Sequence, residues 1–388
     1  YQPTWLAGDL TAGLIVTVML IPQSLAYAML AGLPPEVGLY ASILPIVAYA
    51  LLGSSMTLAV GPVAVASLMT ASALQPLAAA GSPDYVALAV QLSLISGVML
   101  LVFGALRLGF LAYFLSHPVI SGFITGSAVL IAVGQLKYIM GVKVAGSDVL
   151  ETLAGLVKAL PQTQPATLVI GVSSLLFLLL ARRYLAQGLI RVGCSAKAAD
   201  LMTKLAPMVA VIASTALVAG FKLNETAGVS VVGHVPQGLP QLALSLPNMT
   251  TLGQLWLPAL LITLIGFVES VSVAQSLALK RQQRIEPNRE LLGLGAANVA
   301  SALSGGYPVT GGFSRSVVNF AAGANTPLAG VISAALMALV IAALTGLFHY
   351  LPHAVLAATI IVAVTSLIDL KTLKEAWHYD RSDALSLL

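Results

Sequence analysis

The 388-residue chain is 58% hydrophobic and only 8% charged, with a mean hydropathy of +0.96. A water-soluble domain carries about 25% charged residues, so a soluble fold is excluded and the composition is that of an all-α polytopic membrane protein. The net charge of +4 sits in membrane-flanking segments, which makes it a topology signal and not a sign of nucleic acid binding.

In chain order, apolar runs near the roughly 20 residues needed to cross a bilayer fall at 8–31, 36–53, 57–76, 85–106, 112–136, 165–181, 205–221, 254–279, 290–304, 309–323, 326–348 and 353–369. A further run opens at Ala384. The first run contains Asp9, Pro22 and Gln23 with no small-residue cleavage site behind it, so it reads as a retained span and not a signal peptide. Residues 147–160 alternate at helical spacing, with Asp148, Glu151 and Lys158 opposite the apolar face, which predicts a helix lying on the outer surface. Residues 223–252, rich in Pro, Gly, Asn and Gln, form the longest polar connector. Its Asn248-Met249-Thr250 triplet is formally a glycosylation sequon and carries no weight. Cys194, the single cysteine, lies in a basic connector and excludes an intramolecular disulfide or a cysteine-based metal cluster.

With the N-terminus inside, strict alternation puts Arg107 and the segments 182–204, 280–289 and 371–381 on the cytoplasmic face. Those hold thirteen of the eighteen Lys and Arg residues. The other face receives Lys137, Lys143, Lys158 and Lys222, as the positive-inside rule requires. Arg315 is the one left over.

Two spans are poor helices. Gly61-Pro62 interrupts 54–72, and Gly305-Gly306, Pro308 and Gly311-Gly312 interrupt 304–323. Each predicts a short extended strand leading into a half-helix that starts inside the membrane, which is tolerated only where protein or a water-filled cavity covers the backbone. The breakers follow Pro22-Gln23 and Glu269-Ser270 at similar spacing, and the two segments are third and tenth in the count. An odd offset reverses the direction of entry, so the halves read as inverted repeats with the binding site between them. Ordinary kinked membrane helices are the alternative.

Glu269 and Arg315 are the ionisable groups at mid-depth. Two half-helix N-termini, each with free N–H groups and about half a positive charge, make an anion site. Arg315 adds a full charge, and Ser314 and Gln23 add neutral donors, with Thr310 a weaker candidate. The alternative is that Arg315 snorkels or pairs with Glu269. Desolvation favours the neutral form of a carboxylate, so Glu269 reads either as a proton carrier or as a structural counter-ion. Tyr27 and Phe313 are candidate site walls. The five histidines share no ligand spacing, so no metal is expected. The absence of a zinc-protease or phosphate-loop motif argues against an enzyme, against ATP-driven transport and for no cofactor.

The stretches IPQSLAYAMLAGLPPEVGLYASILP (21–45), LAVGPVAVASLM (58–69), SHPVISGFITGSA (116–128), GFVESVSVAQSLA (266–278) and TGGFSRSVVN (310–319) resemble the sulfate permease (SulP) family of anion transporters. The resemblance implies a seven-plus-seven inverted repeat like that of nucleobase transporters, with a core domain moving in an elevator-like cycle against a gate domain. On that basis 1–222 is the first repeat, 223–252 the extracytoplasmic connector and 253–388 the second repeat, with spans 1–4 and 8–11 as core and spans 5–7 and 12 onward as gate. It implies that Gln23, Tyr27, Val63, Ser314 and Arg315 line the anion site; Val63 stands where relatives often carry an aromatic residue. It also implies a coupling role for Glu269 and, commonly, a homodimer. Family members have fourteen segments and usually a cytosolic regulatory domain, whereas this sequence ends at Leu388, at the start of the thirteenth. The expected function is secondary transport of a small anion across the cytoplasmic membrane. The candidates are dicarboxylate, sulfate or bicarbonate, with a weak lean to a dicarboxylate carried in proton symport. An uncoupled anion channel or an exchanger is the runner-up.

Overall fold

The computed structural model describes residues 2–113, 117–144, 149–240, 242 and 245–365. The predicted segments at 371–381 and beyond Ala384, and Asp148 of the surface helix, lie outside these residues. The chain separates into two compact units, each made of two stretches of sequence.

The first unit comprises Tyr1–Ser116 and Gln237–Ala343. Its first stretch runs through α1 (Leu6–Leu30), α2 (Pro35–Tyr40), α3 (Leu44–Leu52), β1 (Val60–Gly61), α4 (Ala64–Leu74) and α5 (Pro83–Ala105). Its second runs through α6 (Met249–Leu279), α7 (Pro287–Leu303), β2 (Thr310–Gly311), α8 (Phe313–Ala321) and α9 (Leu328–Ala343). Local chemistry sets these boundaries. Ser82 accepts the Tyr85 N–H at 3.2 Å and Pro83 occupies the first position of α5, the favoured cap and first-turn residues. Asn248 accepts the Thr251 N–H at 2.7 Å, which starts α6 ahead of the predicted residue 254; the sequon's asparagine is a helix cap. The predicted span 36–53 is two helices, because Pro45 sits in the first turn of α3 and has no N–H to continue the ladder from α2. Tyr85, Tyr307, Phe267, Leu25 and Leu291 are fully buried in this unit.

The second unit comprises His117–Pro236 and Leu344–Leu388. Its helices include His117–Met140, Val149–Ala159, Pro165–Leu180, Ala206–Phe221 and His353–Thr365. Ile170, Val218, Val229 and Ala354 form one core cluster. The predicted surface helix is Val149–Ala159, which packs Leu156 and Ala159 against Val142. The basic segment 182–204, expected as a connector, is mostly helical: Pro165–Leu180 continues through a π turn into Ala186–Arg191, and Ala196–Lys204 follows. Lys204 pairs there with Asp200 at 2.6 Å, one turn away on the same helix. The polar connector also has structure. Val231 bridges Pro352, and the His353 N–H donates to the Ser230 carbonyl at 3.0 Å.

Among the described residues, five helical segments are long and apolar enough to cross a membrane, with α2 and α3 counted together as one, or six if one bent pair also counts as a span. The helices α4 and α8 have 11 and 9 residues, which at 1.5 Å per residue cover only about half the apolar thickness. Each follows a two-residue strand, the arrangement read from the glycine and proline breakers.

Candidate functional site

In the first unit, β1 and β2 run antiparallel, with Val60 opposite Gly311 and Gly61 opposite Thr310. The Gly312 N–H donates to the Ala59 carbonyl at 3.0 Å and extends the pairing. Val63 and Gly312 are the extended residues that begin α4 and α8, and neither helix has a side-chain cap. The first N–H groups of both half-helices therefore lack an intrahelical acceptor, and both positive helix ends start from one strand pair. Gly61 has a φ of +152°, and a β-carbon there would stand 3.2 Å from Arg315 Nη2. Only glycine meets both demands.

Polar side chains on apolar helices hold this strand pair. Ser316 Oγ accepts the Ala59 N–H at 2.9 Å and donates to the Gly312 carbonyl at 2.6 Å. Asn319 donates to the Thr57 carbonyl at 3.0 Å. Ser270 Oγ, from α6, accepts the Gly311 N–H at 2.8 Å. Asn298, from α7, clamps Val309 by accepting its N–H and donating to its carbonyl, both at 2.9 Å. The Tyr307 hydroxyl meets Ser67 Oγ of α4 at 2.9 Å. Glu290, fully buried at the start of α7, accepts from the Tyr49 hydroxyl, the Ser54 N–H and hydroxyl, and the Ser55 N–H at 2.6–3.0 Å. None of these residues was singled out from sequence for such a role. Asn298 and Ser316 had no distinguishing pattern, and Glu290 stood at a predicted span end, where a charge needs no explanation.

The residues picked from sequence divide clearly. Arg315 is 2% exposed, and its Nη1 donates to the Pro62 carbonyl at 2.6 Å and reaches Gln23 Oε1 at 3.5 Å. Its Nε and Nη2 are buried without a hydrogen-bond partner. Such groups are rare in native proteins and call for an unseen acceptor. Tyr27 is buried within electrostatic range of Arg315 and Tyr307. Val63 is buried beside Gly312. Phe313 and Ser314 are exposed. Thr310 Oγ1 is buried without a partner. Glu269 is half-buried on α6 and within electrostatic range of Arg315, yet the two form no direct ion pair. Among the described residues, no three His, Cys, Asp or Glu side chains gather as a metal site.

The model of the sulfate permease family matches residues 6–388. The chain belongs to that family. This sulfate permease family member is 38% identical over 377 residues to the chloroplastic sulfate transporter 4.1 of Arabidopsis thaliana, an alignment covering 97% of this chain and 53% of the relative. The chain thus spans about half the length of that relative. Among solved structures, SLC26A9 matches with a TM-score of 0.90 at 23% identity, over 99% of this chain and 61% of that one. The transmembrane domain of the cyanobacterial bicarbonate transporter BicA matches with a TM-score of 0.85 at 24% identity, over 100% and 94%. The fold is the seven-plus-seven inverted repeat of these neighbours, and the family is one of transporters, not enzymes.

Proposed function

We propose that this protein is a secondary transporter that binds a small anion at Arg315, between the N-termini of α4 and α8, and carries it in proton symport. The observation behind this reading is the Arg315 guanidinium, buried with two N–H-bearing atoms unpaired and both uncapped helix ends close by. A fixed cation among free backbone donors suits an oxyanion. Gln23 supplies a side-chain amide, and Tyr27 and Val63 form apolar walls; Phe313 and Ser314, exposed in the first turn of α8, are the remaining candidate contacts. Relatives named for sulfate and bicarbonate transport favour those two anions over a dicarboxylate. Glu269, near Arg315 but not bonded to it, is the proposed proton carrier. Protonating it removes a negative charge beside the incoming anion and so offsets part of the charge that must cross.

The first unit is the proposed anion-carrying core and the second the gate, in an elevator-like alternating-access cycle. The distribution of Lys and Arg supports a cytoplasmic N-terminus in the cytoplasmic membrane. The test is uptake into proteoliposomes of labelled sulfate, bicarbonate, chloride, fumarate and succinate, with and without an inward proton gradient. Accumulation of sulfate or bicarbonate that depends on the gradient is expected. Fast dissipative flux indifferent to the gradient would replace this reading with a channel.

A further inference from the structure

The half-helix bearing Arg315 is held at its other end by two charged side chains that take no part in the proposed anion site. Arg281 follows α6, the helix that carries Glu269. Its Nη1 donates to the Ala324 carbonyl at 2.5 Å and its Nη2 to the Phe320 carbonyl at 3.4 Å, while the guanidinium lies 4.5 Å from the Phe320 ring centroid. Those carbonyls stand at and just beyond the C-terminal end of α8, where the helix end is negative; that of Phe320 also accepts the Gly323 N–H at 3.1 Å.

Asp9 comes from the first turn of α1, the helix that carries Gln23 and Tyr27, and is fully buried. It accepts the Asn325 N–H at 2.6 Å, the Thr326 N–H at 3.0 Å and the Thr326 hydroxyl at 2.6 Å. These donors lead into α9, whose N-terminal end is positive. The two charges thus hold opposite polarities of one turn, 322–326. A β-carbon on Gly8 would stand 2.5 Å from the Gly323 carbonyl oxygen, so the α1 backbone lies directly on that turn. All three helices that carry Gln23, Tyr27, Glu269 and Arg315 are therefore tied at one point. From Phe320 back to Arg315 is about 7.5 Å at 1.5 Å per residue, so a shift of the turn passes along a stiff rod to the guanidinium.

We propose that Asp9 and Arg281 are positioning residues for anion binding, which set where α8 lies and so where Arg315 meets the anion. This rests on the reading that Arg315 holds the anion. The test is the initial rate of labelled sulfate uptake over a concentration series, with the full-length protein in proteoliposomes. The variants are Arg315→Ala, Arg281→Ala, Arg281→Lys, Asp9→Asn and Thr326→Val, each checked for melting temperature and size-exclusion profile.

Arg281→Ala and Asp9→Asn are expected to raise the half-saturating sulfate concentration roughly tenfold, the worth of one charge-assisted hydrogen bond, with the maximal rate nearly unchanged. Arg281→Lys keeps the charge without the two-carbonyl fork and should fall between them and the unaltered protein. Thr326→Val removes one donor to Asp9 and should raise half-saturation about two- to threefold, in keeping with one modest hydrogen bond. Should Arg281→Ala or Asp9→Asn fail to fold, the Thr326→Val and Arg281→Lys variants decide the matter. Unchanged half-saturation in the folded variants, with only melting temperature or maximal rate lowered, reduces the clamp to a structural feature and overturns the proposal. If instead the unaltered protein takes up neither sulfate nor bicarbonate, or Arg315→Ala retains its uptake, the anion-site reading itself falls and this inference with it.

Discussion

In the proposed site, Arg315 is the side chain on which anion binding turns. A guanidinium with Nε and Nη2 unpaired inside a mostly apolar unit is costly unless something negative completes it. Arg315→Ala should lower anion uptake at least about tenfold, by loss of a charge-assisted contact, while the protein still elutes as a folded species; unchanged uptake would remove Arg315 from the site. Glu269 makes the converse case. It shares Arg315's electrostatic surroundings without pairing, so Glu269→Gln should preserve downhill flux but abolish accumulation driven by a proton gradient. A variant that still concentrates the anion on that gradient would make Glu269 a counter-ion. Both residues stood out in the sequence as charges in apolar runs. Their separation was not legible, since pairing depends on how far α8 stands from α6.

At the scale of elements, the strand pair and its two half-helices gather the residues of the proposed site. Glycine and proline breakers announced both half-helices, including the extended residues ahead of each. What holds them came from across the sequence: Ser270, Asn298, Ser316 and Glu290 each bond a backbone group that a broken span leaves unpaired. Polar residues of this kind look ordinary on a helix until the tertiary partner is known. Glu290→Gln should destabilise the protein by about 2–3 kcal/mol, since several donors lose a charged acceptor, read as a melting temperature lower by several degrees. A melting curve that does not move would show that the 54–55 turn does not depend on this carboxylate. Gly61→Ala should impair sulfate uptake more than stability, because its β-carbon would stand 3.2 Å from Arg315 Nη2; full uptake in that variant would contradict the packing described.

At the scale of the whole molecule, an anion that binds only the folded protein must stabilise it. Sulfate at a hundredfold excess over its dissociation constant should add about 2.7 kcal/mol, seen as a rise in melting temperature of the detergent-solubilised protein. Arg315→Ala should erase that rise. A rise that survives the substitution would point to sulfate acting as a general stabilising salt and not as a ligand. Each unit is assembled from two stretches of chain, so nearness in sequence is a poor guide to which helices share a core.

Composition alone dictated a membrane protein, because 58% hydrophobic and 8% charged residues leave no aqueous fold able to hide them. Periodicity and breakers then located the spans and the two half-helices, since those depend on local backbone chemistry. Helix starts at Asn248, the break at Pro45 and the helical 182–204 segment depended on capping and packing that a hydropathy pattern does not register. The partners of Asp9, Glu290, Asn298 and Arg281 emerged only from the folded chain. Each joins residues far apart in sequence, and hydrogen bonds across such distances exist only once the helices have packed.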